Sequence, residues 1–115
     1  MGKNSMDVQT RWAQTALVVD LRGQIDLFSS TRMRSAILEA INTEQVSKVV
    51  INLSEVSYID SSGVASLVEG LRLARSKNRR LVLFGLQQGA KEVFKLARLD
   101  KIFDIRVTEV EALAD

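Results

Sequence analysis

Cysteine and histidine are both absent from the 115 residues of this chain, and with them go disulfide bridges, thiolate nucleophiles, imidazole bases and nearly every transition-metal site. Metal catalysis and triad hydrolysis are excluded, and no cofactor is expected. Proline is absent too, which suits long uninterrupted elements without choosing between folds. The longest apolar runs, such as 81–84, fall far short of the ~20 residues a spanning helix requires. A soluble protein without membrane insertion is expected. Residues 1–5 lack the apolar core of a secretory signal, which makes the cytoplasm the expected compartment. Met6 stands where a myristoylation pattern needs Ser or Thr.

What is present is ordinary globular usage, 46% hydrophobic and 26% charged, so a single domain over 6–115 with one core is expected, preceded by a disordered stretch at 1–5. Sixteen basic against fourteen acidic residues leave a formal charge of +2, too near balance to call for a direct nucleic-acid partner. The one dense basic cluster is Arg72, Arg75, Lys77, Arg79 and Arg80. It falls near the expected end of the second helix, where cations complement the dipole. The other reading of it is a surface for an acidic partner.

Along the chain, strands are expected at 6–12 and 15–21, with Ala13-Gln14 as the tip between them. Arg22-Gly23-Gln24-Ile25-Asp26 reads as a turn-like segment. Ser29, Ser30 and Thr31 offer N-caps for a first helix ending near Asn42, with Met33, Ala36, Ile37, Ala40 and Ile41 on its apolar stripe. A third strand at 46–53 contains Val49, Val50 and Ile51, consecutive and β-branched. A second helix from 61 or 62 to 76, a fourth strand at 80–84, a third helix at 87–98, a fifth strand at 102–107 and a helical turn at 109–113 complete the order. This is an α/β sequence: right-handed crossovers give a mixed sheet of about five strands, with three to four helices packed on one face. An apolar first strand at the sheet edge leaves backbone groups open to pairing, and oligomeric state is otherwise not fixed.

The chemistry-bearing stretch is Tyr58-Ile59-Asp60-Ser61-Ser62-Gly63, where a strand feeds a helix whose apolar residues recur at Val64, Leu67, Val68 and Leu71. Asp and Ser are favoured at a helix N-cap because their oxygens accept hydrogen bonds from N–H groups without intrahelical partners. The plain reading is a capped helix. The functional reading places a serine, exposed, at the positive end of a helix dipole, where an added phosphate meets free N–H donors. Catalysis is not supported: a nucleophilic serine needs a base, no histidine exists, and the G-x-S-x-G elbow is missing. Gly85-Leu86-Gln87-Gln88-Gly89-Ala90 lacks both the P-loop lysine and the dinucleotide-binding spacing, so it reads as a helix start.

Taken together, Gly23-Gln24-Ile25-Asp26, Val49-Val50-Ile51-Asn52-Leu53 leading into the D-S-S-G stretch, and Leu81-Val82-Leu83-Phe84-Gly85-Leu86 resemble the STAS domain of bacterial anti-sigma factor antagonists over roughly residues 6–113. The resemblance implies a STAS-like mixed sheet and a protein that is not an enzyme but the substrate of one. In that family an anti-sigma factor that is also a serine protein kinase phosphorylates the second serine of D-S-S-G. A serine phosphatase reverses it, and only the unmodified antagonist binds the anti-sigma factor. Carried over by motif position, Ser62 is the phosphoacceptor, Asp60 and Ser61 shape its turn, these three and Gly63 share in partner binding, and Asp26 lies on the adjacent partner-binding surface. Stand-alone STAS proteins also serve as accessory subunits of ABC-type lipid transporters, binding the ATPase subunit. The paired serines favour the phosphoswitch over that alternative.

Overall fold

The computed structural model describes residues 6–114; the stretch 1–5, expected to be disordered, lies outside the described residues. The chain forms β1 (Met6–Ala13), β2 (Ala16–Ile25), α1 (Ser30–Asn42), β3 (Lys48–Ile59), α2 (Ser61–Ser76), β4 (Arg80–Phe84), α3 (Gln88–Leu96), β5 (Asp104–Arg106) and α4 (Glu109–Leu113), with a 3-10 turn at Leu99–Lys101. Strands lie in the order β1-β2-β3-β4-β5. The first pair is antiparallel and the rest are parallel, because a short turn can only reverse the chain whereas each later connection carries a helix.

This is the expected α/β architecture, with the elements in the expected order. Four boundaries differ. Residues 22–26, read as a turn, continue β2 as far as Ile25: Gly23 sits at φ 111, and register shifts at Asp20/Arg22 and Gly23/Gln24 absorb the irregularity. β3 likewise runs past Leu53 to Ile59. Its second half buries only Val56 and Ile59, a spacing of three that hides the strand from a search for alternation. The hairpin tip is Gln14-Thr15, one residue later than expected, with Gln14 at φ 59. β5 is shorter than the expected strand because Phe103 turns inward to meet the Phe94 ring at 5.6 Å between centroids.

Odd-numbered residues of the central strands, Leu17, Val19, Val49, Ile51, Leu81 and Leu83, face a buried cluster that takes Met33, Ile37 and Ile41 from α1, Leu67 and Leu71 from α2, and Phe94 from α3. Three helices thus cover one face, as the order of elements requires. The one-turn α4 lies on the opposite face, where Ala112 meets the aligned Val18, Val50 and Val82. Lys48, buried on that side, donates from Nζ to the carbonyls of Ala112 at 2.9 Å and Ala114 at 3.0 Å, which holds the C-terminal end of α4.

The basic cluster divides among tasks not foreseen for it. Arg79 donates to the carbonyls of Ile41 and Thr43 and so closes the end of α1. Arg75 reaches the carbonyl of Ile102, and Arg80 pairs with Asp104 at 3.2 Å.

Candidate functional site

β2 and β3 end side by side. Ile25 and Ile59 are opposite one another in the parallel ladder, and the Asp60 N–H donates to the Ile25 carbonyl at 3.0 Å. The next residue on each strand is an aspartate, so Asp26 and Asp60 emerge together at the carboxyl edge of the sheet, the place where open α/β sheets leave a crevice.

Asp60 is the N-cap of α2, extended at φ −102, ψ −173. Three donors converge on its Oδ1: the N–H of Ser62 at 2.9 Å, the N–H of Gly63 at 3.2 Å and the hydroxyl of Ser62 at 2.6 Å. The Leu27 N–H on the β2–α1 loop adds a fourth interaction. The Ser62 hydroxyl above all, with these backbone donors, outweighs the opposing effect of burial and holds the Asp60 carboxyl below its ordinary value. The carboxylate is therefore a clasp between the start of α2 and the loop that precedes α1.

Asp26 performs the same chemistry one loop away. Its Oδ1 accepts the N–H groups of Phe28 at 2.9 Å and Ser29 at 3.0 Å. Ser29, buried, accepts the Asp26 N–H and donates to the Gln24 carbonyl, both at 2.9 Å. Ser29 stands at the N-cap of α1 without a side-chain cap bond; Asp26 instead closes the turn that leads into the helix.

Gly63 is required by space. A Cβ built on it would stand 2.6 Å from Ile25 Cγ2 and 2.7 Å from Ile59 Cγ1, so the first turn of α2 can lie on the ends of both strands only without a side chain.

All five residues singled out in the sequence are thus brought together, with two corrections to their expected state. The donors expected to be free at the helix start are occupied, since the Asp60 carboxylate already holds the N–H groups of Ser62 and Gly63. Ser61 is exposed whereas Ser62 is half-buried, its hydroxyl turned onto Asp60. The sequence reading passed over Leu27 and Phe28 and gave Tyr58 no role beyond its place in the stretch; they are 69%, 86% and 52% exposed at this edge. A signal for Phe28 existed: it falls out of phase with the Met33, Ile37, Ile41 stripe of α1.

The model of the STAS domain matches residues 7–112. The chain belongs to the STAS domain family. A curated relative, the anti-sigma-B factor antagonist of Listeria monocytogenes, is 33% identical to this STAS chain over 89 residues, 77% of each protein. Among solved structures, an anti-sigma factor antagonist from Mycobacterium paratuberculosis superposes with a TM-score of 0.86 at 24% identity, covering 95% of this chain and 92% of that one. The Bacillus cell fate determinant SpoIIAA in its phosphorylated form gives 0.72 at 25% identity, covering 93% and 96%. These likenesses agree with the five-stranded mixed sheet described above. Among the described residues no helix is long and apolar enough to cross a membrane.

Proposed function

We propose that this STAS protein is an anti-sigma factor antagonist that is not itself an enzyme. Unmodified, it binds an anti-sigma factor with serine kinase activity; phosphorylation of Ser62 releases it, and a serine phosphatase restores binding. The observation that carries the reading is the position of the Ser62 hydroxyl. It is partly open to solvent at a helix start and bonded to Asp60, at the sheet edge that also carries the exposed Leu27, Phe28 and Tyr58. The 33% identical antagonist from Listeria supports the assignment of class.

Phosphorylation removes the hydroxyl hydrogen that now lies on Asp60 and places nearly two negative charges beside that carboxylate. Repulsion within the turn is offset in part by the helix N-terminus, which favours anions by about 0.3–1 kcal/mol, and the core that holds the fold does not include Ser62, so the fold persists. A partner surface packed on the same turn has no such relief and must desolvate or repel a dianion. That costs several kcal/mol, about a hundredfold or more in affinity.

Incubation with ATP and serine kinases of the source organism, followed by mass spectrometry, is expected to place phosphate on Ser62 and to find none there in Ser62→Ala. Ser62→Ala is expected to stay bound to the kinase in the presence of ATP and Ser62→Asp to bind at least tenfold more weakly. Equal affinity of the two variants refutes the switch. Capture of a transporter ATPase subunit, insensitive to both substitutions, points to the accessory-subunit role instead.

A further inference from the structure

The two edges of the sheet differ in their defences. β5 is three residues long and is flanked by the ion pairs of Asp104 with Arg80 and Arg106, so it offers little to an incoming strand. β1 is outermost on the other side and runs eight residues in unbroken register with β2. Its sequence, MDVQTRWA, has neither lysine nor proline, and no bulge bends it away. Those are among the devices that keep long edge strands from pairing with other chains; the guard that is present stands at the strand's end, where Arg32 on α1 donates to the Met6 carbonyl at 2.8 Å.

The pattern on this edge selects its partner. A two-fold axis normal to the sheet joins two β1 strands antiparallel and keeps the helices of both copies on one side. Residues opposite each other must then share a face of the pleat. Centring on Asp7 or on Arg11 sets like charges face to face, which opposes pairing, and centring on Val8 or on Thr10 gives neither Asp7 nor Arg11 an opposite charge. Centring on Gln9 instead puts Asp7 opposite Arg11 of the second copy, twice over, Val8 opposite Thr10, and Met6 opposite the half-exposed Trp12. Arg11 is already fixed by Asp20 and Glu109, which take four of its five N–H donors; the remaining Nη1 N–H is the one left for Asp7 of the second copy.

We propose that β1 is a self-pairing edge, through which two copies of this chain join their sheets about Gln9 into one ten-stranded sheet. Met6 lies beside Gly23, at the end of the sheet that carries Asp26 and Asp60. Antiparallel pairing therefore sends the two switch sites to opposite ends of the assembly and leaves both open, which makes dimerisation separable from partner binding.

Sedimentation equilibrium of the full chain is expected to show a monomer–dimer equilibrium at roughly 10–100 µM, as suits a small interface. Because the chain has no cysteine, Gln9→Cys is expected to give a covalent dimer under mild oxidation, while Lys77→Cys, on the far side of the molecule, does not. Gln9→Lys installs the missing guard on the axis itself and is expected to weaken dimerisation at least tenfold, with circular dichroism and melting unchanged. Monomer mass at all concentrations overturns the proposal. So does a dimer that Gln9→Lys leaves intact and Gln9→Cys does not trap.

Discussion

Replacing Asp60 by Asn tests the clasp with little change of shape. Asn is as good an N-cap as Asp, and its single carbonyl oxygen can take the place of the Oδ1 that now receives the Ser62 N–H, the Gly63 N–H and the Ser62 hydroxyl. What the substitution removes is the charge. A hydrogen bond to an ionised acceptor is worth about 1 kcal/mol more than a neutral one, and a charge at a helix start adds about 0.3–1 kcal/mol. Three donors sharing one half-exposed oxygen do not sum, so the expected loss at pH 7 is about 1 kcal/mol, or about 4 °C in melting temperature for a chain of this size. The loss depends on pH in a fixed direction. Asp60 has its pKa lowered in the folded chain, chiefly by Ser62, so the stabilisation is complete above the ordinary aspartate value near ~4 and disappears as pH falls through the lower folded value. Urea unfolding at pH 7 and at successively lower pH is the assay, with the urea dependence of the free energy expected to be the same for both proteins. Asp20, Glu69 and Asp104 also titrate low, but they do so in both proteins and cancel in the difference. Equal stability at pH 7, or a gap that persists undiminished in acid, refutes the account of Asp60 as an ionised clasp.

Two glycines provide an internal comparison. Gly63→Ala is expected to destabilise by about 1–3 kcal/mol, because its Cβ has no room between Ile25 and Ile59, whereas Gly89→Ala, with nothing within 4 Å, is expected to stabilise by about 0.5–1 kcal/mol through helix propensity; thermal melts read both. Phe28→Ala, at a side chain 86% exposed, is expected to leave the melting temperature within experimental scatter while weakening kinase association about tenfold in calorimetric titration.

The parts of this fold legible in the sequence are those where one local rule acts alone. α2 runs from Ser61 to Ser76 as the spacing indicates, because a strong cap and a regular apolar stripe agree. The second half of β3 was illegible because the register shifts that carry it to Ile59 break alternation, leaving Ser54, Glu55, Ser57 and Tyr58 looking like a loop. The division of the basic cluster could not be read either. Arg79 binds carbonyls at the end of α1, a contact decided by the packing of α1 beside α2. At the candidate site, motif position picked out the residues, but their state required coordinates. Nothing in D-S-S-G says that the carboxylate already occupies the N–H groups a phosphate would seek.

The ion pair between Arg11 and Glu109 joins residues 98 positions apart, and the helix that Glu109 opens is what covers Val18, Val50 and Val82. During synthesis that strip of valines therefore stays bare until α4 has left the ribosome, after the opposite face has received α1, α2 and α3. A nascent chain stalled before Glu109 would display a sticky β-branched stripe to chaperones, and docking of α4 is what closes it.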